Sequence, residues 1–253
     1  LYEPINDRIV FAEGNELDAI ASKLDTGIFS LATRNFTGKQ RMRTYISFSA
    51  ELVFKDRYEV KIKGVKWLAF YGKGLKCPQG YAFPAYGCLK GETATRPLIT
   101  ITDDLTHFDL LAYLPTNIDG AILNESTVVY NGSRYVIFMR DDTFPFGIWY
   151  SMSQDLENWD FPQRLYIGAH APMAICHEGN MYLTVRDLTL YGKTGITMVK
   201  PFLNLEVLID SYKGNPYDGG YTDIGIIDGV IYVLYYIGNA AGEPFIKCCR
   251  LNH

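Results

Sequence analysis

The sequence has few of the signals that mark helical, membrane-spanning or metal-binding proteins. The best helix candidate is residues 15–24, and no apolar run approaches the roughly 20 residues of a membrane span. The five cysteines are an odd number without metal-ligand spacing. Lysine and arginine number 24 against 28 aspartates and glutamates, so no overall positive charge attracts nucleic acid. These shortages predict a protein without a cofactor, a metal site, a nucleic-acid partner or a membrane span.

Aromatic residues, by contrast, are plentiful, with 19 tyrosines and 14 phenylalanines. Such enrichment favours β-strands, and it also suits a sugar-binding cleft lined with rings. Short runs of β-forming residues recur between turn residues, which favours a sandwich, a barrel or a propeller. These runs are residues 28–33, 44–49, 67–71, 98–102, 128–130, 135–139, 148–153, 181–185, 196–199, 231–236 and 245–249.

A repeated hairpin pattern decides among the three architectures. An apolar run, a polar turn with glycine and a second apolar run occur around Gly132, Gly179 and Gly229, which are separated by 47 and 50 residues. A tight turn of this kind between two β runs is a strong hairpin signal, and the period is typical of four-stranded propeller blades. The sequence therefore predicts an all-β protein, a five- or six-bladed β-propeller of four-stranded antiparallel blades. The three turns are expected in equivalent positions of successive blades.

The same period fits a single propeller domain over residues 1–253. Residues 58–91 interrupt the rhythm with many glycines, and they are predicted to form an irregular insertion or long loop. No secretory leader is visible, and the chain opens at Leu1 in what resembles mid-domain sequence. Whether an upstream leader or domain completes the propeller is left open, and so is the oligomeric state.

A second motif follows the first of these hairpins. Residues 153–159 have the pattern Ser-x-Asp-Leu-x-x-Trp, which resembles the Asp-box-like outer-strand turn of many glycosidase propellers. Asp155 is predicted to cap the turn through its side chain, while Trp159 packs between blades. The motif is interpreted as structural rather than catalytic.

Glu125, Arg140, Arg186 and Tyr221 follow one another through the second half of the chain, and together they resemble the functional set of the sialidase superfamily. In sialidases a Glu enters one blade, an Arg ends the second strand of that blade, another Arg does so in the next blade, and a Tyr opens the last hairpin. This chain has Glu125, Arg140, Arg186 and Tyr221 in that order at blade spacing. The resemblance covers about half of the chain, residues 122–251. It implies a glycoside hydrolase that acts on an anionic, sialic-acid-type glycan.

The resemblance assigns a role to each of these side chains. Arg140 and Arg186 would hold the carboxylate of a sialic acid as a bidentate clamp. Tyr221 would attack the anomeric carbon in place of a carboxylate, which the substrate's own charge would repel, and Glu125 would be its base. The Tyr221 hydroxyl is then expected within hydrogen-bond reach of Glu125. His170 is a further substrate-binding candidate that would line the cleft.

Each of these residues also has a purely structural interpretation. Arg140 and Arg186 both precede an aspartate and could form ion pairs at the rim of the propeller. Glu125 could cap a turn at the start of its strand, and Tyr221 could be an ordinary packed ring. His170 could lie in a surface loop.

The chain departs from the sialidase pattern at two points. Sialidases open with an Arg-Ile-Pro segment that carries the first clamp arginine, and here Arg8 and Arg34 are imperfect substitutes, of which Arg34 joins the substrate-binding candidates. The general-acid aspartate expected after the early strand is replaced by residues 38–43, Gly-Lys-Gln-Arg-Met-Arg. Endosialidases, which cut inside polysialic acid, resemble sialidases with an incomplete catalytic set. The basic residues 39–43 would suit such a polyanionic chain.

Two other functions are compatible with the predicted fold. An arabinanase or xylosidase of the five-bladed type needs three acidic residues in a central funnel, for which Asp103, Glu125 and Asp223 are candidates. A non-catalytic glycan-binding propeller would bind sugar without turning it over. The expected partner is a glycan in every case. A protein acting on glycans would be secreted, exposed at a cell surface or associated with a virion.

Overall fold

The structure is a computed structural model that describes residues 16–25, 28–37, 41–50, 54, 56–203, 205–213, 219–238 and 244–251. All the helices and strands assigned in these residues are β-strands; none is a helix. No helix in this part of the chain is therefore available to cross a membrane.

The strands form five antiparallel sheets, and each sheet is one blade of a five-bladed β-propeller. Blade 1 contains β1 (Glu16–Asp25), β2 (Ile28–Thr37), β3 (Arg41–Ser49) and β4 (Tyr58–Glu59). Blade 2 contains β5 (Val65–Phe70), β6 (Leu75–Cys77), β7 (Gly80–Leu89), β8 (Arg96–Thr102) and β9 (Asp109–Tyr113). Blade 3 contains β10 (Leu123–Tyr130), β11 (Tyr135–Asp141), β12 (Gly147–Ser153) and β13 (Gln163–Ile167). Blade 4 contains β14 (Ala169–His177), β15 (Asn180–Asp187), β16 (Thr194–Lys200) and β17 (Leu205–Tyr212), and blade 5 contains β18 (Thr222–Ile227), β19 (Val230–Gly238) and β20 (Pro244–Leu251).

The all-β propeller prediction is confirmed, and the number of blades is five. Blades 1, 3 and 4 have the expected four strands in sequential order. Within the described residues, blade 5 has three strands. Blade 2 has five strands. Two of them, β5 and β6, share the innermost position of the blade, and both pair with β7.

The three glycine turns occupy equivalent positions, as the repeat predicted. Each joins the first two strands of its blade, namely β10 to β11, β14 to β15 and β18 to β19. Asp228 and Gly229 have φ angles of 49° and 74°, and Glu178 and Gly179 have the same pair of values. Two successive positive φ angles define a type I′ turn, whose twist matches that of the flanking strands. Glycine at the second position adopts this conformation without steric cost.

The helix predicted over residues 15–24 is wrong. Residues 16–25 form strand β1, and Asn15 lies outside the described residues. The pairing of β1 with β2 shifts register after Leu17 and again after Lys23. Such bulges break the strict alternation of a strand, which is why the apolar spacing of this segment resembled that of a helix.

The prediction of an irregular insertion at residues 58–91 is also wrong. This stretch contains β4, β5, β6 and β7, which belong to blades 1 and 2. Its glycines allow close approach between strands rather than forming a loop: a β-carbon at Gly72 would lie 2.7 Å from the carbonyl oxygen of Ser126 in blade 3.

Apolar layers between neighbouring blades hold the strands in place. In β11, the successive residues Val136, Ile137, Phe138 and Met139 are all fully buried. Because alternate side chains point to opposite faces of a strand, this run packs against blade 2 on one side and blade 4 on the other. Removing one such side chain from water stabilises the fold by about 1.5–3 kcal/mol. The ends of the strands, and the polar residues on them, are therefore held firmly.

The turn at residues 153–159 has the capped geometry that its motif predicted. Asp155 Oδ1 accepts hydrogen bonds from the backbone N–H groups of Glu157 and Asn158. Leu156 is fully buried and has a φ angle of 68°. Trp159 packs against the apolar layer between blades 2 and 3. The aspartate of this motif is thus a structural residue.

A second turn of the same construction lies 51 residues earlier, in blade 2. Asp104 Oδ1 accepts hydrogen bonds from the backbone N–H groups of Thr106 and His107, and Leu105 has a φ angle of 63°. Sequence inspection missed this copy because threonine and phenylalanine stand where the first motif has serine and tryptophan. Asp103, an acid candidate of the arabinanase-type hypothesis, belongs to this turn.

Candidate functional site

Hairpin geometry brings the predicted site residues to one end of the propeller. In an antiparallel hairpin the start of the first strand lies beside the end of the second. Leu123 of β10 accordingly pairs with Asp141 of β11, and Ala169 of β14 pairs with Asp187 of β15. The candidates at or just before the start of first strands are Glu125, His170 and Tyr221, and those near the end of second strands are Arg34, Arg140 and Arg186.

Tyr221, Glu125 and Arg140 form one hydrogen-bonded group. The Tyr221 hydroxyl donates to Glu125 Oε1 over 3.0 Å, and Arg140 Nη1 donates to Glu125 Oε2 over 2.8 Å. The same Nη1 lies 3.1 Å from the Tyr221 oxygen, and Arg140 Nε lies 2.6 Å from Asp142 Oδ1. The contact expected between Tyr221 and Glu125 is therefore present. Their catalytic roles stay predictions.

Burial and neighbouring charges set the protonation of this group. Burial disfavours the Arg140 cation, but the Glu125 and Asp142 carboxylates outweigh it, and the pKa of Arg140 is raised. Burial and the Glu125 carboxylate raise the pKa of Tyr221 well above its usual range, against the opposing influence of Arg140 and Arg186. Tyr221 is therefore protonated at neutral pH, so a base is needed to remove its proton.

Arg186 is a buried cation with unsatisfied donors. Only 1% of the residue is exposed, and its guanidinium carbon lies 4.7 Å from the centre of the Tyr221 ring. Its Nε and Nη2 atoms have no hydrogen-bond partner among the described residues. Gly220 makes room for it, since a β-carbon there would lie 2.7 Å from Arg186 Nε. Because an unpaired buried donor costs about 1–3 kcal/mol, or more when charged, this side chain would gain from an anionic partner.

His170 lies inside the protein, so its assignment to a surface loop is wrong. It belongs to β14, pairs across with Arg186 and is fully buried. Its ring packs edge-on against Phe146 at 4.5 Å between centres, and neither ring nitrogen has a hydrogen-bond partner among the described residues. Burial and the Arg140 and Arg186 cations lower the pKa of His170 to about 3. The ring is therefore neutral at physiological pH.

Arg34 approaches the same end of the propeller from blade 1. Its Nη1 donates to the Tyr86 hydroxyl over 2.7 Å. Burial raises the pKa of Tyr86, while the charges of Arg34 and Glu125 act on it in opposite directions. Arg34 thus contacts Tyr86, and Tyr86 lines the same pocket as Glu125. Arg8 and residues 38–40 lie outside the described residues.

A pocket of about 450 Å³, hereafter the Tyr221 pocket, opens in front of Tyr221 and Glu125. Lys73 and Asp223 form an ion pair of 2.5 Å on its wall. Neither Arg140 nor Arg186 is part of the wall, so both arginines stand behind the Tyr221–Glu125 pair as seen from the pocket. Most of the remaining wall is apolar or aromatic, which suits a sugar ring. Its aromatic residues are Phe70, Tyr71, Tyr86, Tyr221, Tyr235 and Tyr236.

The three acids of the arabinanase-type hypothesis are not assembled. Glu125 and Asp223 both line the Tyr221 pocket. Asp103 directly follows Thr102, which pairs with Tyr81 at the opposite end of β7 from the pocket residue Tyr86. The structure thus brings two of these acids together and leaves the third at the far end of blade 2.

Sequence reasoning missed several residues around the pair. Asp142 was signalled only by being the second of two aspartates after Arg140. Tyr71, whose ring centre lies 6.1 Å from that of Tyr221, and Lys73 were hidden in the segment misread as an insertion. Tyr86 carried no signal of its own, because its importance comes from the contact with a residue 52 positions away in blade 1.

Blade 4 sets the distance between the blades that carry Glu125 and Tyr221. Thr127 of blade 3 contacts the Met173 sulfur of blade 4 at 3.8 Å. Thr184 donates to the Met173 carbonyl oxygen over 3.1 Å, and its hydroxyl lies 2.6 Å from that of Thr222 in blade 5. A continuous set of buried contacts therefore links the three blades directly beneath the site.

Comparison of the sequence with models of known families and with curated proteins found no match. The structure, by contrast, is similar to many solved structures. A protein of unknown function from Dyadobacter fermentans has a TM-score of 0.73 and 14% identity, over 93% of this chain and 76% of that chain. Trypanosoma rangeli sialidase, in complex with the inhibitor DANA, has a TM-score of 0.66 and 12% identity, over 93% of this chain and 45% of that chain. Xylan β-1,4-xylosidase from Bacillus halodurans has a TM-score of 0.58 and 12% identity, over 96% of this chain and 54% of that chain.

These similarities identify the fold as a β-propeller shared with glycoside hydrolases. The present chain spans about half the length of the sialidase and xylosidase chains. At identities of 12–14% the likeness concerns the fold alone, and substrate and catalytic residues have to be argued from the site itself.

Proposed function

We propose that this protein is a glycoside hydrolase that acts on an anionic, sialic-acid-type glycan in the Tyr221 pocket. The observation that carries the proposal is the 3.0 Å hydrogen bond between Tyr221 and Glu125 at the pocket wall, with Arg140 bonded to Glu125 and Arg186 against the Tyr221 ring. A tyrosine nucleophile with a carboxylate base is the pair that suits an anionic sugar, because the substrate's charge repels a carboxylate nucleophile. The glycosidases among the similar structures support the broader class.

Tyr221 and Glu125 would divide the reaction into two displacements. In the first, the Tyr221 oxygen bonds to the anomeric carbon as its proton passes to Glu125, the glycosidic C–O bond breaks, and the leaving oxygen takes a proton from water. In the second, water attacks the anomeric carbon and releases a proton to solvent, the bond to Tyr221 breaks, and Glu125 returns its proton to the tyrosine oxygen. The raised pKa of Tyr221 makes the base necessary for the first step.

The arginines would supply the complementary charge. Arg140 Nη1 donates to Glu125 Oε2 over 2.8 Å and so holds the carboxylate that would accept the proton beside the Tyr221 hydroxyl. Arg186 has two unpartnered donors in one guanidinium plane, the arrangement that binds a carboxylate in a bidentate manner. Because the Tyr221 ring covers Arg186, substrate binding would require that ring to turn aside.

Substitution of Tyr221 by phenylalanine tests the nucleophile. We expect Tyr221→Phe to lower turnover of an α-sialoside and of polysialic acid by orders of magnitude with little change in affinity, because the lost hydroxyl acts in the transition state. Released sialic acid and calorimetric titration measure the two quantities. Tyr130→Phe is a matched control, since its exposed hydroxyl contacts the Gly132 carbonyl in a hairpin turn.

Other results would point elsewhere. Near-normal turnover in Tyr221→Phe would remove the tyrosine from the mechanism, and loss of activity in Glu125→Ala alone would favour a carboxylate mechanism. A native protein that binds the sialoside without hydrolysing it would be a glycan-binding propeller.

A further inference from the structure

A second pocket, of about 270 Å³ and hereafter the lysine pocket, lies between blades 1 and 2. Four basic side chains line it, those of Arg43, Lys61, Lys66 and Lys90, against one acidic side chain, that of Glu59. The whole chain has a net charge of −4, so this excess of positive charge is local and opposite in sign to that of the protein. A concave surface lined by one sign of charge concentrates ligands of the other sign.

Two lysines of this pocket have no ionic partner. Glu59 is already engaged, 2.9 Å from Lys61 Nζ and 3.8 Å from Arg43 Nε. Lys66 and Lys90 are exposed, and neither forms an ion pair within the part of the chain that the structure describes. Both ammonium groups are therefore available to an anionic ligand in this pocket.

The lysine pocket and the Tyr221 pocket are neighbours, because a residue in the wall of one contacts a residue in the wall of the other. Tyr86 lines the Tyr221 pocket, and its ring meets the ring of Trp67, which lines the lysine pocket, edge-to-face at 6.0 Å. Arg34, which donates to Tyr86, pairs across the sheet with Thr44 on the wall of the lysine pocket. The walls of the two pockets are therefore neighbours, in contact through one pair of aromatic rings.

We infer that the lysine pocket binds a second acidic unit of the same polyanionic glycan whose reacting unit occupies the Tyr221 pocket. The inference rests on the proposed function. Lys66 and Lys90 would contact the acidic groups of that unit, and the Trp67 ring offers an apolar face to a sugar ring. The substrate is then a chain of acidic sugars rather than a single terminal residue, because one residue cannot reach both pockets.

The test compares affinities for short and long acidic sugars in two matched variants. Lys66→Ala combined with Lys90→Ala removes the free charges of the pocket, and Lys23→Ala combined with Lys193→Ala removes the same charge from exposed sites outside both pockets. Calorimetric titration with sialic acid, with longer α-linked oligosialic acids and with a single-stranded oligonucleotide gives the dissociation constants. We expect the pocket variant to bind the long oligomers about tenfold more weakly than the control variant, with sialic acid affinity unchanged.

Each other outcome has a definite meaning. Equal affinity of the two variants for the long oligomers would overturn the second subsite, and so would a native protein that binds no oligomer. An oligonucleotide bound as tightly as the oligosialic acid would overturn the assignment to a glycan. A native protein that binds the oligomers through Lys66 and Lys90 but does not bind sialic acid would refute the proposed function while leaving an acidic-polymer site in the lysine pocket.

Discussion

Blades 3 and 4 carry the same Arg-Asp pair at the end of their second strands, and yet only the aspartates behave alike. Asp141 and Asp187 each accept a hydrogen bond from the backbone N–H of the threonine two residues further on. Arg140 is paired with two carboxylates, whereas Arg186 is buried with two nitrogens that have no hydrogen-bond partner among the described residues. The aspartates therefore stabilise a turn in both blades, whereas the two arginines differ in whether a carboxylate of the protein pairs with them.

Two residue differences between the blades account for this contrast. The pairing of the first two strands aligns the blades position by position. Where blade 3 has Glu125 and Asp142, blade 4 has Ala171 and Leu188. Both carboxylates that neutralise the arginine of blade 3 are thus replaced by apolar residues beside the arginine of blade 4. The comparison teaches that Arg140 is paired with the protein's own carboxylates, while no such carboxylate stands beside Arg186 among the described residues.

The largest expected effect separates the two arginines. Arg140→Met should destabilise the fold by about 3 kcal/mol, because it leaves the buried Glu125 carboxylate without its partner. Arg186→Met should change stability by less than about 1 kcal/mol, since Nε and Nη2 have no hydrogen-bond partner to lose among the described residues, but it should abolish binding of an anionic sugar. Urea unfolding and calorimetric titration measure the two effects.

The same contrast can be tested by adding a carboxylate. Leu188→Asp would give Arg186 the partner that Asp142 gives Arg140, and it should weaken anionic-sugar binding without removing the arginine. If Arg186→Met destabilises the fold as much as Arg140→Met does, Arg186 is a structural residue and the contrast fails.

A smaller effect on stability is expected from substituting two glycines that have similar φ angles but different neighbouring atoms. Gly220 and Gly229 have φ angles of 88° and 74°, but only at Gly220 would a β-carbon meet another atom, 2.7 Å away on Arg186. Gly229→Ala should cost about 1 kcal/mol from backbone strain alone, and Gly220→Ala about 2–3 kcal/mol together with weaker anion binding. Thermal unfolding and titration with sialic acid compare them. Equal losses of stability with unchanged affinity would mean that Gly220 does not position Arg186.

The last expected effect is confined to acidic pH and concerns His170, which lies across from Arg186. Its pKa is lowered to about 3, so the unfolded chain binds a proton below about pH 6.5 that the folded protein does not. Stability should therefore fall as the pH drops from 6.5 toward 3, by about 2 kcal/mol at pH 5. His170→Gln should reduce this loss, as measured by urea midpoints at pH 7 and pH 5.

His107→Gln provides the opposite control for this measurement. The Asp104 carboxylate beside the exposed His107 raises the pKa of that imidazole, so its removal should not lessen the acid sensitivity. An unchanged loss of stability in His170→Gln would show that other groups cause it.

Local sequence signals predicted the fold correctly where the residues of a single hairpin determine its conformation. The turns at Gly132, Gly179 and Gly229 carry their own conformational preference and lie where the repeat placed them. Strand β1 and the glycines of blade 2 could not be read in this way. Their conformation depends on bulged pairing and on close approach to other blades, such as that of Gly72 to Ser126.

The contact between Glu125 and Tyr221 was predictable from the sequence, but the surroundings of the candidate residues were not. Arg140 and Arg186 follow the same strand pattern, so the sequence placed both at one end of the propeller. That Arg140 is paired while Arg186 is not depends on the residues at positions 125 and 171, which only the pairing of strands brings beside them. The burial of His170 was likewise decided by packing against Phe146, across a turn whose conformation the sequence did not reveal.

The contacts from Thr127 through Met173 and Thr184 to Thr222 link blades 3, 4 and 5. The distance between Glu125 and Tyr221 therefore depends on all three blades. Glu125 and Tyr221 never meet within one sheet, and the thickness of blade 4 decides how far apart they stand. Since protein interiors are close-packed, a buried change of even one methylene in these contacts would affect the packing between the blades. The position of Tyr221 relative to Glu125 therefore depends on buried residues of blade 4 as well as on the two blades that carry these side chains.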